Sequence, residues 1–478
     1  MSTETTGSTS TLAIVGASGF IGSALCRYVA QDYTTVAITR SRHRAAEGTP
    51  GSPVRWKVCD LFSKAAMQEA LAGVGQIVYL AHTRVPTARL DQARCADMDV
   101  LQADNCALAA AHHGVRQIIY LAGLLPEGNV SEQMLRERSE IVSVLGNYGT
   151  PVTVVRTSLV VGPGSSAVAF LTNVVRRLPV IPIPGWAQTR RQPIALVDLL
   201  RAICYCLDDR GACGRSFDIG GPEYLSTSEI VSRIAKSCGH NKRVCQVSWF
   251  PVNLYALLLR LLSPSTHPGL INFFLQGIHH DMKINDNLLQ NKLASGALSL
   301  RTALQDISLI NPRYTSLSRD RKDFERSSSV RSIQRIPLPD GWDSEALSEY
   351  YFPWLSRFVW PFVRSDRQSD GSWRIKIRGI GLALLCLSLA ELRSSEHRRL
   401  YCITGGLLAR TSQKSKGRME FRDLATEPST IIAIHDFTPK LPWRFYNLTQ
   451  ASIHGWLMGR FQKHMARYQG KVCAPTDA

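Results

Sequence analysis

Three glycines, each separated from the next by two residues, stand in Gly16-Ala17-Ser18-Gly19-Phe20-Ile21-Gly22. They follow the apolar run Leu12-Ala13-Ile14-Val15 and open the helical segment from Phe20 to Ala30. A strand, a glycine turn and a helix start, in that order, make a cradle for phosphates. Gly16 permits the tight turn, Gly19 lets a pyrophosphate approach the backbone, and Gly22 lets the helix pack close to the strand. The phosphates then sit on free N–H groups at the helix N-terminus, where the dipole favours negative charge. The spacing predicts a dinucleotide site; an ordinary glycine turn is the plain alternative.

Further candidates follow the next strands. Thr39-Arg40-Ser41-Arg42 closes the second one. A site for NAD usually carries Asp or Glu here, on the ribose 2′-hydroxyl. Arg40 and Arg42 instead offer guanidinium groups suited to a 2′-phosphate. That predicts NADP(H), with NAD(H) as the second option; the plain alternative is a pair of solvated arginines. Asp60, with Leu61 after it, stands where an adenine amino group would lie. Ala81 and His82 close the fourth strand, at the edge where ribose and nicotinamide would lie, although a structural role for His82 is the simpler reading.

These residues need a frame. Val36–Thr39, Val54–Val58, Ile77–Leu80, Ile118–Leu121 and Val152–Val155 read as buried parallel strands. Lys64–Ala72, Cys95–His113 and Glu132–Leu145 read as the helices between them. That rhythm predicts an α/β fold, a Rossmann-type doubly wound parallel sheet over residues 11–312. Residues 1–10 form a Ser/Thr-rich tail, and 313–332, rich in Ser, Arg and Asp, form a linker. A smaller α+β domain follows at 333–470, with a tail at 471–478. Its expected strands are Trp373–Arg378, Leu400–Ala409, Arg418–Arg422 and Ile431–Ile434, before one long helix from Trp443 to Tyr468. His435-Asp436 reads as a strand-end turn. Trp354, Phe358, Trp360 and Phe362, beside Arg357 and Arg364, read as domain packing, with interfacial anchoring as the alternative.

Length and composition agree with a globular protein of two domains or more: 478 residues, 45% hydrophobic and 20% charged. The net charge is +18, and the chain from Arg313 onward has 27 basic against 16 acidic residues. No long Lys/Arg block occurs, so a nucleic-acid partner is not expected. A basic face toward a membrane surface fits better. Twelve cysteines without a Cys-x-x-Cys predict reduced thiols in a cytoplasmic protein and no metal site, with membrane-peripheral contact an option that the basic charge leaves open. No signal peptide is expected at the N-terminus. The apolar stretches Trp249–Leu262 and Ile380–Leu389 are short of the roughly 20 residues that span a bilayer.

Residues 11 to about 240 resemble the short-chain dehydrogenase/reductase superfamily in its extended or atypical branch, near NmrA-like and UDP-sugar-epimerase-like proteins. The supporting marks are Gly16–Gly22, Asp60, Arg156 with Gly162-Pro163-Gly164, Gln192-Pro193-Ile194 with Asp198, and Asp218-Ile219-Gly220-Gly221-Pro222. The resemblance implies a dinucleotide held by Gly16, Ser18, Gly19, Phe20, Ile21, Gly22, Arg40, Asp60, Leu61, Ala81, His82 and Arg138. It also implies a Tyr-x-x-x-Lys pair and a Ser for proton transfer. Here the chain departs from the pattern. Anchored on Gly149-x-Pro151-Val152, the Tyr position holds Met134 and the Lys position Arg138, and the Ser position is Ala122 or Gly123. Methionine transfers no proton, and Arg does not deprotonate. Two roles follow: a reductase or isomerase acting on an apolar substrate, or a non-enzymatic NADP(H) sensor or assembly subunit. Tyr120 and His82 are the displaced acids to consider.

The C-terminal part resembles a bacterial domain of unknown function found fused behind such reductase domains. Its marks are Ile336–Trp342, Tyr401–Ala409, Ile434–Phe437 and Leu441-Pro442-Trp443. That resemblance implies a helix-grip, START-like fold, in which a sheet wraps a C-terminal helix around a cavity for an apolar or lipid-like small molecule. A solid core is the alternative.

Overall fold

The computed structural model describes residues 11–46, 48, 51–83, 87–125, 132–264, 266, 268–285, 287–305, 329–411, 417–424 and 426–472. The chain divides into two compact units. One comprises Met1–Val85 and Val100–Asp320, the other Pro86–Asp99 and Arg321–Ala478.

The first unit starts with β1 (Leu12–Val15), α1 (Phe20–Tyr28), β2 (Thr35–Thr39), β3 (Val54–Val58), α2 (Lys64–Ala70) and β4 (Gln76–Tyr79). The chain then forms β5 (Leu90–Ala93) in the second unit and returns along α3 (Cys95–His112). β6 (Gln117–Gly123), α4 (Glu132–Gly146), β7 (Val152–Thr157) and, later, β8 (Ser216–Asp218) complete the sheet. Its order is β8-β7-β6-β4-β1-β2-β3, parallel throughout. Every residue of β1 and β4 is buried. Such two-sided burial is what continuous apolar runs encode, and helices must cover both faces. The amino edge is closed by a side-chain chain in which Gln76 Nε2 donates to Gln117 Oε1 at 2.9 Å and Gln117 Nε2 donates to Thr153 Oγ1 at 2.8 Å. The carboxyl edge is left to the loops that carry the candidate site.

The second unit runs β9 (Val330–Pro337), α5 (Ser344–Phe358), β10 (Val363–Arg367), β11 (Trp373–Ile377), β12 (Ala383–Leu389), β13 (Arg398–Gly405), β14 (Arg418–Leu424), β15 (Ser429–Phe437), α6 (Trp443–Leu448) and α7 (Gln450–Val472). The sheet order is β10-β11-β12-β13-β14-β15-β9-β5. Neighbours are antiparallel except β9 and β5, which are parallel. One face packs on α5 and α7. Tyr351 of α5 has its ring 5.0 Å from Phe461 of α7 and 6.0 Å from Phe421 of β14. Phe352 stacks on Trp373 at 4.7 Å. These rings form part of the core between the sheet and the two helices. A sheet-rich domain with a long C-terminal helix is the arrangement expected for this part of the chain.

Several boundaries differ from the sequence reading. Strand β9 starts at Val330, inside the span read as linker, and residues 86–99 join the second unit rather than the first. The helix read from Trp443 to Tyr468 is broken at Thr449, where φ is −117° and ψ −84°. His435 and Asp436 lie within β15 rather than in a turn, with Asp436 at φ +54° and paired to Arg418 at 2.7 Å. The four aromatic residues divide: Trp354 is in the core, while Trp360 and Phe362 are exposed. Residues 1–10, 313–328 and 473–478, read as tails and linker, lie outside the described residues.

Candidate functional site

The glycine turn sits at the carboxyl end of β1, in the middle of the sheet. Gly16 has φ +90°, and a Cβ there would come within 3.1 Å of the Ala81 nitrogen, so the position needs glycine both for its backbone and for its space. A Cβ on Gly22 would lie 2.5 Å from the Gly16 oxygen and 2.8 Å from the Ala17 Cα. That contact locks α1 against the turn. Gly19 is different. Its φ is an ordinary −71°, and a Cβ would meet only the Gly16 oxygen, at 3.2 Å. The fold itself has little need of glycine there, and the residue is exposed. A bare backbone at Gly19 leaves room for a group approaching from outside.

Gly19 is also the N-cap of α1, with no side-chain cap and no acidic residue in the first turn. The first N–H groups of a helix have no acceptor inside it. Those of Phe20, Ile21 and Gly22 form the positive end of the helix dipole beside the open space at Gly19 and the half-buried Ser18. The geometry fits an anionic, phosphate-like group.

Around this turn the parallel register brings other strand ends together: Val15 pairs with Ile38 and Tyr79, Thr39 with Val58, and Tyr79 with Tyr120. Arg40, half-buried, follows β2. The turn after it is tied by two bonds, Ser41 N donating to Thr39 Oγ1 at 3.0 Å and Arg44 N donating to Ser41 Oγ at 3.2 Å. Arg42 is exposed. Asp60 follows β3 and accepts the Phe62 N–H at 3.2 Å. Ala81 is buried beside Gly16, and His82 is half-buried with its ring 6.0 Å from Tyr120. The residues of the loops after β1, β2, β3 and β4 therefore share one edge of one sheet.

Two supporting residues escaped the sequence reading. Asn105 of α3, fully buried, donates to the Leu61 carbonyl at 2.9 Å. Gln102 donates to Thr83 Oγ1 at 2.7 Å, with both side chains buried. One helix thus pins two of the loops. The only hint in sequence was polar residues within an otherwise Ala-rich helix.

Ala122 and Gly123 end β6, opposite Arg156 and Thr157. Neither offers a hydroxyl. Met134 and Arg138 fall in α4, with side chains outside the described residues. Cys59 is no substitute nucleophile: burial, with the Asp60 charge adding, pushes its thiol up to about 12. The remaining marks brace loops. Arg156 pairs with Asp218 at 2.6 Å. Gly220 and Gln290 exchange two bonds at 3.1 Å, and a Cβ on Gly221 would lie 2.1 Å from the Pro193 oxygen. Asp198, 1% exposed, accepts the Leu298 N–H at 2.8 Å.

Residues 12–139 match the model of the NAD dependent epimerase/dehydratase family. The chain is 24% identical over 225 residues to the mitochondrial NADH dehydrogenase (ubiquinone) 1 alpha subcomplex subunit 9 of Arabidopsis thaliana, covering 45% of this chain and 55% of that protein. It is 27% identical over 139 residues to the auxiliary protein GraX of Staphylococcus aureus, covering 29% of this chain and 41% of that one. The chain thus spans about half the length of these curated relatives. A nucleoside-diphosphate-sugar epimerase from Staphylococcus aureus superposes with a TM-score of 0.46 at 17% identity, over 62% of this chain and 99% of that one. A NADPH-dependent quinone oxidoreductase from Escherichia coli, complexed with NADPH, gives 0.48 at 18%, over 61% and 98%. Residues 12–139 thus resemble the NAD dependent epimerase/dehydratase family, within a unit built on a seven-stranded parallel sheet, and a separate, mostly-sheet domain follows.

Proposed function

We propose that the first unit binds NADP(H) at Gly16–Gly22 and uses it without the Ser/Tyr/Lys set of short-chain reductases. The observation that carries this reading is the open backbone at Gly19. It is a glycine the fold does not require, at an uncapped helix N-terminus, on the carboxyl edge of a doubly wound sheet. The pyrophosphate would rest on the N–H groups of Phe20, Ile21 and Gly22, since the Gly19 N–H already donates to the Gly16 oxygen at 3.0 Å. Arg40 and Arg42 favour a 2′-phosphate, since no carboxylate stands between Thr39 and Ala46. Such a cofactor supplies a hydride; the chain must supply any proton.

Ala122 and Gly123 favour a role in which binding itself matters, as in a redox sensor or an assembly subunit. A reductase acting on an apolar or quinone-like substrate is the second reading. It draws on the His82–Tyr120 ring pair at the same edge, where either group could donate a proton.

Calorimetric titration tests the binding. The protein is expected to bind NADPH with micromolar or better affinity and at least about tenfold more tightly than NADH, as a charge-assisted phosphate contact implies. Gly19→Asp should abolish binding by placing a carboxylate against the phosphates. Normal binding by that variant would put the cofactor elsewhere. NADPH consumption with carbonyl or quinone substrates, lost in both His82→Ala and Tyr120→Phe, would select the second reading.

A further inference from the structure

The end of the second unit's sheet where β10 begins and β11 ends gathers several turns. Arg378 N donates to the Phe362 oxygen at 2.9 Å, joining the α5–β10 turn to the β11–β12 hairpin. Leu407 N donates to the Ala383 oxygen at 3.0 Å, and Lys440 N to the Leu408 oxygen at 3.1 Å, joining the β13 exit and the β15 exit to the same end. The Phe358 and Trp456 rings, 5.3 Å apart, bring in the end of α5 and the start of α7.

These turns are apolar at their tips, contrary to the usual polarity of loops. Trp360 is 67% exposed, Phe362 71%, Ile380 75% and Leu448 79%, with Phe445 and Trp456 also exposed. An apolar cluster on this scale marks an interaction site. Its charge is one-sided. Arg357, Arg378, Arg410, Lys440 and Arg444, on the same segments, are all exposed. No acidic residue occurs in 357–364, 378–382, 405–411 or 438–456. Aromatic and aliphatic tips ringed by cations, with no carboxylate, match the headgroup region of a bilayer containing anionic lipid. A protein partner or a second copy would need a complementary acidic rim, and this chain offers none on these turns. Among the described residues no helix is long and apolar enough to cross a membrane, so the contact is a surface one.

We propose that this end of the second unit docks on anionic membrane surfaces, with Trp360, Phe362, Phe445 and Leu448 inserted at headgroup depth and the five cations over lipid phosphates. The proposal is independent of the dinucleotide site.

Co-sedimentation of the full chain with large unilamellar vesicles tests it. One set is phosphatidylcholine; the other contains about one third phosphatidylglycerol. Binding is expected only to the anionic set, with a blue shift in tryptophan emission. Arg378→Glu with Arg444→Glu should weaken it at least about 25-fold, from roughly fivefold per basic residue. Trp360→Ala with Phe445→Ala should weaken it further, with circular dichroism and melting temperature unchanged because these tips lie outside the core. No binding to either vesicle overturns the proposal, as does equal binding to both or binding indifferent to these substitutions. So does sedimentation velocity showing a dimer that Trp360→Ala with Phe445→Ala dissociates, since the patch would then be an interface between copies.

Discussion

A methyl group added at Gly19 and one added at Gly22 would report on different things. At Gly22 it would press into the Gly16 carbonyl at 2.5 Å, so Gly22→Ala should lower stability by about 2 kcal/mol, read from the urea midpoint. At Gly19 it would meet one atom at 3.2 Å, so Gly19→Ala should leave the midpoint nearly unchanged while weakening NADPH binding. The second unit has a comparable point of sensitivity. Glu420 is fully buried and takes two bonds from Arg398, one of them at 2.9 Å, with Arg422 3.4 Å away. The guanidinium charges hold its carboxyl well below the usual range despite burial. Glu420→Gln strands buried positive charge and should cost about 3 kcal/mol by the same measurement. The glycine pattern was legible in sequence because each glycine answers a local need. Glu420 was not, since Arg418–Arg422 reads simply as a strand and only the fold buries its polar face.

Strands β1, β2 and β4 were legible for a similar reason: each is a mostly apolar run that a sheet must cover on both sides. β3, Val-Arg-Trp-Lys-Val, alternates at the sheet's edge and is partly exposed, not buried as its sequence reads. β5, with the sequence Leu-Asp-Gln-Ala, carries no such signal. It is a strand because β9, some 240 residues later, supplies its hydrogen bonds, and because Arg331 Nη1 donates to Thr87 Oγ1 at 2.7 Å and Gln92 Nε2 to the Ala451 oxygen at 2.8 Å. Without β5, β9 becomes an edge. A fragment of residues 329–472 is expected to exchange the amides of Val330–Ile333 at least about tenfold faster than the same fragment joined through a flexible linker to residues 86–99. Hydrogen-exchange mass spectrometry would read the difference. β15 adds a pH dependence. Burial lowers His435 from the ordinary 6.5 to about 4, with Glu420, Arg418 and Arg331 facing it. As pH falls the unfolded chain takes up this proton first. The stability from keeping His435 neutral is present above about pH 6.5 and is lost progressively toward pH 4. Loss from Glu420, whose folded value lies below its unfolded one, follows at lower pH. Melting temperatures of the second unit should therefore fall between pH 7 and 5, and His435→Gln should flatten that slope.

At the scale of the whole molecule, the surplus of +11 from Arg313 onward was visible at once, but its placement was not. The structure puts part of it on turns tipped with Trp360, Phe362 and Phe445 and part of it around Glu420 in the sheet. A cofactor on the first unit should raise that unit's stability by mass action, about 2.7 kcal/mol at a hundredfold excess over Kd. Differential scanning calorimetry with NADPH would register that increment as an upward shift of the first unit's transition.

The excursion of residues 86–99 changes what it means to cut this protein. A domain appended like a bead could be severed at its connecting thread, giving two independent products. Here the second product would lack a strand encoded in the first. A chain split between residues 305 and 329 would behave as a complementing pair, with the larger piece carrying a hook that the smaller piece's sheet is shaped to receive. Shuffling the C-terminal domain onto another dinucleotide-binding domain would succeed only if the recipient brought its own strand to that edge.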